Sequence, residues 1–250
     1  NFATLTAAIA ELNSAGVAGP TTLSLTAASY SGSETFPLVI NAIPGASATN
    51  TVTIRPAASN VASISGSSAS CILTLNGADY VTVDGSNSGG TDRSLTVTNT
   101  NTGTSSAVVC LQTASGPNGA TNNTIKNLNI VGNSNTTTLF GVFSGSSTIS
   151  TTSLGTGNNT NTIQNNNLSK TQWGIFSQGA SAGSKNTGNV ITQNLLNTAS
   201  PNNILKAGIY TGFEDNLTIS ENVVSGIAGV SSSYAWGISA GLTSTTTTTT

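Results

Sequence analysis

The chain has 250 residues, of which Thr, Ser, Asn and Gly supply 42, 36, 30 and 27, together 135. Only 6 Lys+Arg stand against 8 Asp+Glu, and there is no His and no Met. A net charge of −2 with scattered cations excludes the basic footprint of nucleic-acid binding and of polybasic membrane attachment, and the lack of His excludes Ser-His and Cys-His nucleophile pairs and His-containing metal sites.

Residues 1–19 read as a cap helix and lead-in. Leu5, Ala8, Ile9 and Leu12 fall at i, i+3, i+4 and i+7, one face of a helix, and Gly16 can end it. A short amphipathic helix in front of β-rich sequence is expected to cover the first open sheet edge. The start at Asn1 and the lack of Met read as a piece of a longer or processed polypeptide. No apolar run approaches the roughly 18 residues of a membrane span, so no membrane insertion is expected.

Short β-rich stretches follow, beginning with Thr51-Val52-Thr53-Ile54 and Tyr80-Val81-Thr82-Val83. Cys71 and Cys110 lie in two others, Cys71-Ile72-Leu73-Thr74-Leu75 and Val108-Val109-Cys110-Leu111. Aligning Ser68-Ala69 with Ser106-Ala107 offsets the cysteines by one residue and points them to opposite faces. That favours two separate small apolar residues over a disulfide.

From residue 123 the chain becomes periodic. Asn161-Thr162-Ile163-Gln164-Asn165-Asn166-Asn167-Leu168 recurs around Asn194 and again around Asn222, two steps of 28 residues, with a fainter copy at Asn123–Ile130. A second motif alternates with it: Phe140-Gly141-Val142-Phe143, Trp173-Gly174-Ile175-Phe176, Ala207-Gly208-Ile209-Tyr210 and Trp236-Gly237-Ile238-Ser239. Its glycines step by 33, 34 and 29 residues. Units of about 30 residues with several short strands, built from poor helix formers, specify a β-solenoid whose coils bury their apolar faces only by stacking. Equivalent positions then form ladders at the strand spacing, and Asn166, Asn194 and Asn222 are predicted to form one, each side-chain amide bonding the next.

These residues resemble right-handed parallel β-helix proteins, in particular the repeat modules of large secreted or surface proteins of Bacteroidota that are commonly exported by the type IX system. The resemblance rests on Asn161 to Leu168, on the Gly-Ile-Phe and Gly-Ile-Tyr strands, and on the opening Leu5–Asn13, Leu23-Ser24-Leu25 and Ser29–Glu34. That opening is also similar to the first coil of pectinesterase-type helices. The resemblance implies an all-β, right-handed single-stranded parallel β-helix with a short N-terminal capping helix. Residues 20–242 are assigned to it, as about seven or eight coils and about 35 Å of rod at the strand spacing. Residues 243–250 are a Thr-rich low-complexity tail or linker. No cap follows Ser239, so the far end reads as cut or continued into further coils.

Candidate chemistry is sparse. The carboxylates are Glu11, Glu34, Asp79, Asp84, Asp92, Glu214, Asp215 and Glu221. A β-helix hydrolase or lyase needs carboxylates clustered around one glycosidic bond, or a basic proton acceptor beside metal-binding carboxylates. Asp84, Asp92 and Arg93 are the nearest approach, and Asp84–Gly90 reads first as a turn. Beyond the opening no pectinesterase pattern continues, so no catalytic residue, metal or cofactor is assigned. If Val142, Ile175, Ile209 and Ile238 face the core, Phe143, Phe176 and Tyr210 form an outward aromatic ladder, a platform for sugar rings or a partner protein. A covering loop or a glycine bulge would hide it. Thr-x-Thr pairs such as Thr51-Val52-Thr53 do not recur at the coil period.

The sequence thus predicts a non-catalytic structural or adhesive module of an extracellular or cell-surface protein. Glycans or other surface proteins are its expected partners, and end-to-end self-association through the uncapped end a further one. The alternative is a carbohydrate-binding or pectin lyase/esterase-like β-helix.

Overall fold

The computed structural model describes residues 1–229 and 235–241, so the Thr-rich tail lies outside the described residues. The chain winds as a parallel β-helix. Three seven-stranded parallel sheets run its length: the first from Thr21–Leu25 to Thr218–Ser220, the second from Ser29–Tyr30 to Val223–Val224, and the third from Leu38–Asn41 to Trp236–Ala240. Each coil contributes one strand to each sheet, which makes seven coils among the described residues. One continuous apolar column fills the lumen, with Ile40, Ile64, Leu75, Val97, Ile130, Val142, Ile175 and Ile209 all fully buried. Each such side chain contributes about 1.5–3 kcal/mol through water exclusion.

Helix α1 (Leu5–Ala15) closes the first coil. Thr4 accepts from Ala7 N at its start and Gly16, at φ 71°, ends it. Its buried face is Leu5, Ala8, Ile9 and Leu12. Two devices fasten it to the coil below. The Glu34 carboxylate accepts from Leu5 N (2.9 Å), Thr6 N (2.7 Å) and Thr6 Oγ1 (2.7 Å), where the helix leaves amides unpaired and a negative charge is favoured. Asn13 donates to Val39 O (2.8 Å) and accepts from Asn41 N (2.9 Å).

The corners explain the 28-residue repeat. Between the first and second sheets, Asn127, Asn165, Gln193 and Glu221 occupy the left-handed region, with φ of 60°, 51°, 59° and 55°. Each reverses the chain so that the next residue points inward, and from the fifth coil on that residue is Asn166, Asn194 and Asn222. Asn166 Nδ2 donates to Asn194 Oδ1 (3.0 Å), and Asn194 Nδ2 donates to Asn222 Oδ1 (2.9 Å). The same oxygens accept backbone N–H groups of the preceding coil, so each amide satisfies polar backbone that the turn has aimed into a dry interior. The opposite corner repeats the device. Thr160 (φ 55°) and Gly188 (φ 70°) precede Asn161 and Asn189, and Asn161 N donates to Asn189 Oδ1 (2.9 Å).

The outer surface of the first sheet carries a column of threonines that no fixed sequence interval marks. Thr22, Thr53, Thr82, Thr124 and Thr162 are consecutive cross-strand neighbours, continued by Val190 and Thr218. Early coils differ in length, so equivalent threonines are unevenly spaced along the chain. The adjoining row runs Ser24, Arg55, Asp84, Lys126, Gln164, Thr192 and Ser220, so no second threonine column accompanies the first.

Candidate functional site

Candidate residues fall in three places: the outer face of the third sheet, the turn around Asp84, and the lumen at Glu214.

On the third sheet the register Leu73↔Val109↔Val142↔Ile175↔Ile209 aligns the glycine motif with both cysteine stretches. Two consecutive positions face the lumen, and the residues on either side of that pair both face outward, three apart instead of two. Thus Trp173 and Phe176 share the outward cluster, while Ile175 belongs to the lumen. Strict two-residue alternation would instead place Trp173 on the same face as Ile175. The inward position before Ile175 belongs to Ile72 and Val108 in earlier coils and to Gly141, Gly174 and Gly208 later. There a Cβ on Gly174 would lie 2.3 Å from Leu196 Cδ2 and 2.5 Å from Gly208 O. Gly174→Ala is accordingly expected to cost about 1–3 kcal/mol by overpacking. Gly183→Ala, where an added Cβ meets nothing within 4 Å, should stay within about 0.5 kcal/mol. Urea unfolding of both variants checks the contrast.

Phe143, Phe176 and Tyr210 do stack as a ladder, with centroid separations of 5.8 Å and 5.4 Å. They do not form the open platform expected of them, because Phe143 and Phe176 are 0% and 1% exposed. The chain after Thr138–Gly145 folds back over the sheet, with Ser146 N donating to Ser153 O (3.2 Å), and lays Ile149 and Leu154 on the rings. Tyr210 and Trp236, at the distal edge of the cluster, remain partly exposed, with ring centroids 6.1 Å apart.

The same geometry overturns the reading of the cysteines. Cys71 and Cys110 form a disulfide across a Cα–Cα distance of 6.2 Å. Thr74, not Ile72, stands opposite Cys110, and Cys71 is level with Ala107. The bridge runs diagonally between the two outward rows, which sequence alignment on Ser68 and Ser106 misplaces by two residues.

Around Asp84 the side chains are committed to holding the turn. Asp84 accepts from Ser86 N (2.9 Å) and Asn127 Nδ2 (2.6 Å) and pairs with Lys126 at 3.3 Å. Asp92 accepts from Ser86 Oγ (2.6 Å), Asn87 N (3.0 Å), Ser94 Oγ (2.7 Å) and Ser88 Oγ. These bonds, led by that from Ser86, hold its carboxyl well below the usual carboxylate range. Arg93 turns away, donating from Nε to Asn165 O (2.7 Å) and from Nη2 to Asn165 Oδ1. Burial lowers the pKa of its guanidinium. Two cavities lie elsewhere. One of about 310 Å³ separates α1 from Thr21–Leu25, one of about 230 Å³ separates it from Leu38–Asn41, and no carboxylate lines either.

Glu214 occupies the lumen. Its sequence context, Phe213-Glu214-Asp215-Asn216, reads as a loop, yet its side chain is fully buried. The signal was available in the spacing: Asn158, Asn186 and Glu214 are 28 residues apart, the period of the ladder. Ser177 Oγ (2.6 Å) and Asn186 Nδ2 (3.3 Å) reach its Oε1, and Asn189 Nδ2 (2.8 Å) reaches its Oε2. Burial pushes its pKa up to about 7, against the pull of those bonds. Among the described residues no group of three or more His, Cys, Asp or Glu side chains is placed to hold a metal ion. Comparison with protein families, curated proteins and solved structures finds no match to this chain, so its functional reading rests on these residues alone.

Proposed function

We propose that this chain is a non-catalytic structural module, a stiff rod within a secreted or surface protein that positions adhesive or partner-binding elements. The observation that carries the reading is where the carboxylates go. Glu34 caps α1, Asp79 accepts from Thr121 N (2.8 Å), Asp84 and Asp92 brace one turn, Glu214 is buried in the lumen, and Glu221 accepts from Gln193 Nε2 (2.7 Å). Acid–base work on a glycosidic bond needs two carboxyl groups flanking a substrate and free to exchange protons with it. Here these six serve the backbone and the neighbouring coil. The disulfide suits an oxidising compartment.

Incubation of the purified protein with pectin, polygalacturonate and other acidic and neutral polysaccharides tests this directly. Neither new reducing ends nor unsaturated uronides are expected. Turnover that disappears in Asp92→Asn would replace the structural reading with a catalytic one. A carbohydrate-binding reading is favoured by one feature, the partly exposed Tyr210 and Trp236. Glycan retention lost in Tyr210→Ser would support it.

A further inference from the structure

Two amide ladders run down one corner of the lumen and both end on the same acid. In the first, Asn158 N donates to Asn186 Oδ1 (3.2 Å), and Asn186 donates to Glu214. In the second, Asn161 N donates to Asn189 Oδ1, and the coil below offers only Leu217 at the ladder position, so Asn189 turns its amide to Glu214 as well. An asparagine would continue the first ladder but could not close both. A glutamate can, because its two oxygens accept from three donors.

The surroundings let this carboxyl exist in either protonation state. Along the third sheet the lumen column changes from Leu75 and Leu111 to Ser144, Ser177 and Thr211. Where leucine gives way to serine, a cavity of about 10 Å³ opens, lined by Leu111, Ile163 and Ile191 together with Ser144, Ser177, Asn161 and Asn189. That is about the volume one water requires. The two amide nitrogens can only donate, whereas the Ser177 hydroxyl can donate or accept. An ionised Glu214 accepts from all three. A neutral Glu214 donates its O–H to Ser177 Oγ, whose own hydrogen then turns to the cavity.

We propose that Glu214 is a proton-operated lock on the distal coils, neutral and closed in mildly acidic surroundings and loosened when ionisation places a charge in the water-excluded lumen. The strands around it, Trp173–Gln178, Asn186–Thr187, Val190–Thr192 and Ala207–Gly212, carry one titratable side chain, Tyr210, which belongs to the outward aromatic cluster. Lys185 and Asp215, adjacent in sequence to Asn186 and Glu214, are half-buried at the flank. The direction follows from linkage. A carboxyl raised from 4.5 to about 7 keeps its proton in the folded state where the unfolded chain has lost it. Stability is therefore fully present below the unfolded value and declines as pH rises through the folded one.

The test is hydrogen exchange of the Ala207–Gly212 amides at about pH 5 and about pH 8, corrected for intrinsic exchange, with Val52–Pro56 as internal reference. Opening of the distal strand should be on the order of 100-fold more frequent at the higher pH, and the reference strand should not respond. Glu214→Gln, which keeps the size and an acceptor, should abolish the difference. Titration of the Glu214 carboxyl carbon by NMR in the unmodified protein gives an answer that does not depend on the variant folding. A midpoint near neutrality supports the lock; a midpoint in the ordinary carboxylate range, or pH-dependent opening that survives in Glu214→Gln, overturns it.

Discussion

Asn194→Ala is expected to lower the unfolding free energy by about 4 kcal/mol, an effect on the scale of the whole stability of many domains. Asn194 makes four bonds through one side chain. Its oxygen accepts from Asn166 N (3.0 Å) and Asn166 Nδ2 (3.0 Å), and its nitrogen donates to Ile163 O (2.9 Å) and Asn222 Oδ1 (2.9 Å). Alanine leaves Asn166 N without its acceptor at a fully buried position, where an unsatisfied group costs roughly 1–3 kcal/mol, and it also removes the second donor to the Ile163 carbonyl and the two amide–amide bonds. Because coils are stabilised mainly by their neighbours, the loss should fall on the fifth to seventh coils together. Urea titration checks the magnitude. Asn202→Ala, at an exposed position, supplies the comparison and should change stability by no more than about 0.5 kcal/mol. Equal effects of the two substitutions would mean that the ladder does not contribute as its geometry requires.

Breaking the Cys71–Cys110 bridge ranks second, at about 4 kcal/mol from the entropy restored to the unfolded chain when a loop of sequence separation 39 is released. The effect is expected from Cys71→Ala combined with Cys110→Ala, read as a drop in Tm. Both cysteines are 0% exposed within the aromatic cluster, so a reductant should act on the native protein only after that cluster opens. Reduction under native conditions should therefore be slow and should accelerate when Gly174→Ala loosens the same sheet. Rapid reduction without unfolding would contradict the burial.

These two predictions also mark what was and was not readable in the residues. The asparagine ladder could be found because coils five to seven share one length, so the side chains that bond to each other recur at one interval. Helix α1 was readable for a similar reason: the residues that make its buried face, Leu5 to Leu12, lie within one short stretch of sequence. The disulfide was not readable, since its partners belong to coils of unequal length and the face each occupies depends on a local departure from two-residue alternation. The threonine column on the first sheet escaped for the same reason. The aromatic ladder was half readable. Its stacking follows from the motif, but its concealment comes from a loop whose Ile149 and Leu154 carry no mark of where they will land. Glu214 shows the converse error, a residue with a loop-like neighbourhood whose 28-residue phase outweighed it.

The sequence by itself determined the architecture: an apolar interior of stacked β-branched and Leu side chains, a capping helix, and amides that tie coil to coil, all of which follow from local pattern and repetition. Only the tertiary structure decided which outward surfaces stay open and which thiols meet. Those outcomes depend on register between coils of different length, and register is set by the packing of the whole stack and not by any one segment.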